Sequence, residues 1–321
     1  MRTLGAACLT LTLASPLAAG EILLKFPLDC TLGSDCYIQH YTDQAPGPAA
    51  RDYTCGALVY DAHRGTDIAV PWLAAMVAGV NVLAAAPGKV GGARDGVRDV
   101  LFGSPGAPDI SGQECGNGVS LIHEDGWVTQ YCHMKEGSIR VQKGDQVAQG
   151  DVLGQVGLSG KTQFPHLHLS VRRDGDVVDP FQPEAMGTCG ADTDATLWED
   201  PPPYVPGGWI ATGLASAVPE YEDIKAGIAQ TRPGDDPEAL VLWGYAYGTR
   251  RGDTVLFSII GPDGPVHQAR VRLDRDQAQM FRASGKRRPA GGWARGTYDG
   301  LIRLTRDGAE ISRQVVNIEL N

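Results

Sequence analysis

Residues 116–134 read GNGVSLIHEDGWVTQYCHM, two runs of alternating apolar and polar residues folded about Glu124-Asp125-Gly126. A period of two gives a strand one inward and one outward face, and an Asp-Gly pair between two such runs signals a hairpin. The pattern recurs. SIRVQKGDQVAQGDVLGQVGLSG (138–160) is a chain of short strands broken at Gly-Asp and Gln-Gly turns. DTVLFSIIGPDGPVHQARVRL (253–273) and GTYDGLIRLTRDGAEISRQVVNIEL (296–320) turn at Pro-Asp-Gly and Arg-Asp-Gly. Only PWLAAMVAGV (71–80) carries a pattern that predicts a helix, and a short one. A chain punctuated this way is mainly β, and strands at such regular intervals in its last third predict a small Ig-like β-sandwich.

The 321 residues suffice for two domains, and the composition changes where a boundary is expected. Residues 20–190 hold six of the seven histidines and all the cysteines beyond Cys8. The proline-rich stretch EDPPPYVPGG (199–208) follows, and residues 207–321 contain no cysteine and one histidine, His267. The expected organisation is a leader over 1–19, a first domain over 20–190, a linker over 191–206 and an accessory domain over 207–321.

The leader is read from MRTLGAACLTLTLASPLAAGE: one Arg, an apolar run to about Ala14, then small residues ending at Ala18-Ala19. That is the form of a secretory signal cut near Ala19. The run is shorter than the roughly 20 apolar residues that a membrane span needs. Cys8 lies inside the apolar run rather than at its end, which argues against a lipid-modified N-terminus. Export to the periplasm or the exterior makes disulfides the expected state of Cys30, Cys36, Cys55, Cys115, Cys132 and Cys189. Six cysteines allow fifteen connectivities; Cys30 with Cys36, and Cys115 with Cys132 across the hairpin, are locally feasible. None has the C-x-x-C spacing of a structural zinc site.

A formal charge of −10 argues against nucleic acid or an anionic membrane as partner, since both call for clustered Lys and Arg. The one basic run, Lys286-Arg287-Arg288, is short enough to be a solvated loop.

Histidine placement carries the chemistry. In FPHLHLSVRR (164–173), His166 and His168 lie two apart on a strand and share a face, with Leu167 and Leu169 on the other. Upstream, AHRGTDIAVP places His63 and Asp67 on either side of a Gly-Thr turn, and QYCHM ends the hairpin's second strand on His133. A catalytic zinc needs three protein ligands, an open position and groups that move protons. His63, Asp67 and one histidine of the H-x-H pair supply the ligands. The other histidine of the pair and His133 remain for acid–base work. His123 sits in IHEDGW, where Trp127 breaks any HExxH pattern, so it is assigned a structural or surface role; His40 and His267 are expected at the surface. SGKT (159–162) lacks the first glycine of a phosphate loop, having Gln155 there, and is set aside. Asn117 is read as a turn residue.

Residues 60–182 resemble the lysostaphin-type zinc endopeptidases of bacterial cell walls. The resemblance rests on HRGTDIAVP, LAAAPGKV, GNGVSLIHEDGWVTQYCHM, KGDQVAQGDVLGQVGLSGKT and PHLHLSVRRDGDVVDP. It implies one Zn2+ per chain, with His63, Asp67 and His168 as ligands and His133 and His166 as catalytic residues beside the metal. It also implies a mainly antiparallel β fold with the site in a groove, and peptidoglycan peptide stems or cross-bridges as substrate. Phe164 stands where the family usually has glycine, Ser170 where an acidic residue often follows, and the 93–116 segment is longer than the usual loop. Two other functions stay open at this level: a catalytically silent regulator of wall hydrolases, and a secreted protease of protein substrates.

Overall fold

The computed structural model describes residues 21–191 and 195–321; the leader expected at 1–19 lies outside the described residues. The chain is mainly β, and its sheets are built from antiparallel pairs. In chain order the first part contains β1 (Tyr37–His40), β2 (Thr66–Ala69), helix α1 (Leu73–Ala78), β3 (Asn81–Leu83), β4 (Gly88–Arg94), β5 (Asn117–Ile122), β6 (Trp127–Met134), β7 (Gln146–Val147), β8 (Val152–Gln155), β9 (His166–Arg173) and β10 (Asp176–Val178). The second part contains β11 (Gly208–Ala215), helix α2 (Tyr221–Ala226), β12 (Ala239–Thr249), β13 (Thr254–Gly261), β14 (Gly264–Arg272), β15 (Gln277–Arg287), β16 (Gly296–Arg306) and β17 (Ala309–Leu320).

The main sheet runs β1-β2-β9-β6-β5-β4-β7, with β10 also on β9, while β3 and β8 pair separately. The Asp125-Gly126 turn closes the expected hairpin between β5 and β6, and the one helix read from sequence in the first part is α1. On β9, Leu167 and Leu169 are fully buried in one core with Ile68, Leu121 and Tyr131, which turns the histidines to the opposite face. That alternation is the positioning device of the site: the aliphatic face is anchored, so the polar face cannot rotate away.

In the second part, a three-stranded sheet β11-β12-β15 and a four-stranded sheet β14-β13-β16-β17 share a core that includes Trp209, Leu242, Phe257, Ile302 and Leu304. Two antiparallel sheets over a common core are a β-sandwich. The sandwich touches the first part directly. The Tyr247 ring packs against that of Tyr37, centroids 4.5 Å apart and tilted by 33°, and joins the first core. Gln39 Nε2 donates to Ala278 O at 2.9 Å, and Gln279 Nε2 donates to the Tyr37 hydroxyl at 3.0 Å. The described part of the proline-rich connection also packs. Leu197 and Trp198 are buried, Leu24 N donates to Leu197 O at 2.7 Å, and the Tyr204 hydroxyl donates to Asp52 Oδ2 at 2.8 Å.

Three disulfides form. Cys30–Cys36 and Cys115–Cys132 are the two local pairs, and Cys55–Cys189 closes a span of 134 residues. Among the described residues no helix is long and apolar enough to cross a membrane.

Candidate active site

Register alone assembles most of the site. His40 of β1 is the cross-strand partner of Asp67 on β2, Asp67 of His168 on β9, and His168 of Cys132 on β6. Directly opposed residues in antiparallel strands share a face, so one row across four strands carries His40, Asp67 and His168 together. His63 arrives from the turn before β2. Gly65 is required there: a Cβ at that position would stand 2.5 Å from Leu169 O and 2.7 Å from His168 Nε2.

His63 Nε2, Asp67 Oδ1 and His168 Nδ1 converge. Their separations are 3.1, 3.2 and 2.7 Å. Ligands about 2.0–2.1 Å from a tetrahedral zinc lie about 3.3 Å apart, so this spacing is close to what one ion imposes. Proton placement makes the same point. His63 Nδ1 donates to Tyr41 O at 2.7 Å, so its Nε2 faces the carboxylate and the second imidazole with a bare lone pair. His63 Nε2 and Asp67 Oδ1 are acceptors, and with His168 Nδ1 they are satisfied by a cation, either a proton carried on His168 Nδ1 or a metal ion among the three. Burial would raise the Asp67 carboxyl, but the His63 and His166 imidazoles and hydrogen bonds from His166 and His168 hold it well below the usual range. Burial works against charge on His63, but the Asp67 carboxylate outweighs it and raises that pKa. His168 is lowered by burial despite its bond to Asp67. Among the described residues, the other group with metal-ligand spacing is Cys30, Asp35 and Cys36, whose sulfurs are joined in a disulfide.

His133 and His166 stand beside this cluster with ring centroids 4.7 Å apart. His133 occupies a β-bulge: Gly118 alone faces Cys132 and His133, because pairing shifts between Asn117↔Met134 and Val119↔Tyr131. Its backbone is left-handed, φ 61°, a conformation non-glycine residues adopt rarely and which here re-aims the imidazole. Cys115 O accepts the His133 N–H at 2.8 Å, and the Cys115–Cys132 disulfide sits one residue away, so the bulge is tied from both sides. His133 Nδ1 donates to Ser159 O at 2.8 Å, which leaves Nε2 free. Burial, with the His166 and His168 imidazoles beside it, holds His133 well below the usual histidine range and therefore neutral. His166 Nδ1 donates to Phe164 O at 2.9 Å and lies 3.0 Å from Thr162 Oγ1, and its Nε2 is 3.4 Å from Asp67 Oδ1.

The structure thus brings together all five residues singled out from sequence: His63, Asp67, His133, His166 and His168. Several others differ from expectation. His40 is buried rather than on the surface, with Nδ1 3.1 Å from Asp67 Oδ2. Asn117 is a buried strand residue, not a turn; its side chain accepts from Val97 N and donates to Val97 O and Met134 O. SGKT, set aside as a phosphate loop, supports both histidines outside the ligand cluster, through Ser159 O and Thr162 Oγ1. The long 93–116 segment is tied to that same stretch, Asp99 accepting from Leu158 N at 2.7 Å and Phe102 N donating to Thr162 O at 2.8 Å. Phe164 stacks on His166, centroids 4.4 Å apart. His123 is structural, bonded to Pro87 O and Thr129 Oγ1. His267 is half-buried in the second part against Ser284.

Residues 61–180 match peptidase family M23. Among curated proteins, the cell division protein DipM of Caulobacter vibrioides is 40% identical over 68 residues, which is 21% of this chain and 11% of that protein. The DD-carboxypeptidase/endopeptidase Mpg of Neisseria meningitidis is 38% identical over 65 residues, 20% of this chain and 14% of that protein. The chain therefore spans only a small share of the relatives it matches. Among solved structures, the catalytic domain of lysostaphin from Staphylococcus simulans aligns with a TM-score of 0.28 and 22% identity, over 44% of this chain and 86% of that one.

Proposed function

We propose that this chain, whose residues 61–180 belong to peptidase family M23, is an exported zinc endopeptidase that hydrolyses peptide cross-links of bacterial peptidoglycan. The observation that carries the reading is the convergence of His63 Nε2, Asp67 Oδ1 and His168 Nδ1 at zinc-like spacing. These three atoms would hold the ion, and a bound zinc supplies a Lewis acid and a water whose pKa is lowered towards about 7. The remaining work falls to the chain. His133, held neutral by burial and oriented by Ser159 O, presents a free Nε2 as proton acceptor. His166, oriented by Phe164 O, directs Nε2 into the same space. Between them they take the proton of the attacking water and either stabilise the developing oxyanion or protonate the leaving amine. Support for the substrate comes from relatives, one named a DD-carboxypeptidase/endopeptidase and another a cell division protein. Support for export comes from the leader-like N-terminus and from three disulfides, which persist in oxidising compartments. We assign 20–190 as the peptidase domain, 191–206 as the connection and 207–321 as an accessory domain.

Zinc analysis and muropeptide release from purified sacculi, run alongside casein, test the reading. The native protein should carry one zinc and digest sacculi. His63→Ala and Asp67→Ala should lose metal and activity together. His133→Ala should keep its zinc while its rate falls by roughly 10²–10⁴. Normal release by His133→Ala, or a fully active protein without zinc, would refute it.

A further inference from the structure

The two oxygens of Asp67 are divided between different partners. Oδ1 faces His63, His166 and His168, whereas, among the described residues, Oδ2 meets only the imidazole of His40, at 3.1 Å. A carboxylate can only accept, so His40 Nδ1 carries the proton in this contact. His40 comes from outside every motif that defines the site. It ends β1, and a register shift between Ile38 and His40 sets it directly across from Asp67.

Everything around His40 fixes that ring. Tyr60 and Phe164 meet it edge-on, with centroids 5.3 and 6.2 Å away. The strand beneath is clamped by the second part of the chain, where Gln39 donates to Ala278 O and Gln279 donates to the Tyr37 hydroxyl. A carboxylate bonded through one oxygen cannot turn about its Cβ–Cγ bond without losing that bond. The other oxygen is then held in the direction the ligand cluster needs.

We propose that His40 is a positioning residue for the metal site: its Nδ1–H holds Asp67 Oδ2 and thereby aims Oδ1 at the ion. This rests on the zinc reading above. It adds to that reading a residue that the H-x-x-x-D and H-x-H motifs do not contain. Partners that orient metal-ligating side chains typically change metal affinity by about 10–100-fold when removed.

The test measures Zn2+ affinity of the full chain by competition with a chromophoric chelator, with near-ultraviolet circular dichroism to confirm a native fold. His40→Ala should bind zinc about 10–100-fold more weakly. His40→Asn places an amide donor at the same δ position and should recover most of that loss, which mere packing would not. X-ray absorption of the zinc-loaded native protein should count two imidazoles. Unchanged affinity in His40→Ala overturns the proposal, as does His40→Asn binding no better than His40→Ala. Three imidazoles at the metal in native protein that fall to two in His40→Ala would make His40 a ligand instead and overturn it too. Those outcomes leave the zinc reading intact, whereas undiminished zinc binding by Asp67→Ala and His63→Ala would remove it and this proposal together.

Discussion

If the proposed activity holds, the disulfides should divide between stability and catalysis, and removing them one at a time should separate the two. A crosslink restricts the unfolded chain according to the length of loop it closes. For the 134-residue span of Cys55–Cys189 the loop-entropy relation gives about 5 kcal/mol at 25 °C. For the 17-residue span of Cys115–Cys132 it gives about 3 kcal/mol, and for the 6-residue span of Cys30–Cys36 about 2 kcal/mol. Activity should follow a different order. Cys132 precedes His133 in the bulge, and Cys115 O accepts the His133 amide, so this crosslink holds the His133 residue in its left-handed pose. Paired Cys→Ser variants, unfolded in urea and followed by tryptophan fluorescence, give the stability ranking. kcat on muropeptides, measured well below each unfolding midpoint, gives the other. The Cys55/Cys189 variant should lose the most stability yet keep its kcat, while the Cys115/Cys132 variant should lose less stability and most of its kcat. If kcat instead tracks stability across all three, the bulge is not held by its disulfide and the reasoning fails.

Two further outcomes follow from particular residues. Burial raises the Asp179 carboxyl to about 6, against donors from Phe181 N and Gln44 Nε2 that favour its charged form. Its folded pKa thus exceeds its unfolded value near 3.9, so its contribution is fully present below about pH 4 and is lost as pH rises through about 6. A shift of about two units corresponds to about 3 kcal/mol; the unfolding free energy of native protein minus that of Asp179→Asn should fall by about this much between pH 4 and 7, and a pH-independent difference would contradict it. Gly65→Ala drives a Cβ against Leu169 O, a backbone atom that cannot swing aside, and against His168 Nε2. The variant should bind zinc more weakly than native protein in the chelator competition, and native-like affinity would show that β2 and β9 can separate without disturbing His168.

What the sequence disclosed depended on how far apart the interacting residues lie along the chain. His166 and His168 were legible because a period of two is local, and the buried Leu167 and Leu169 between and after them confirm which face each takes. The hairpin was legible for the same reason, and with it the Cys115–Cys132 pair. His40 was not. Its partner Asp67 lies 27 residues away, and only the antiparallel register of β1 on β2, with its one-residue irregularity, brings them together. No spacing rule encodes that register. Ser159 and Thr162 were hidden differently: they act on His133 and His166 through a backbone carbonyl, which any residue supplies, and through a hydroxyl whose neighbours in sequence suggested a nucleotide loop. The C-terminal sandwich shows the same limit on a larger scale. Its strands announce themselves by turn and alternation, but its contact with β1, the strand that ends on His40, runs through Gln279, Tyr37 and Gln39, three ordinary residues without a motif. Motifs therefore reported the atoms that would touch the metal, while the groups that hold those atoms in place are distributed wherever the strand registers happen to deliver them. His40 tests that division sharply, since it sits in the same row as two of the expected ligands yet carries no sequence signature of its own.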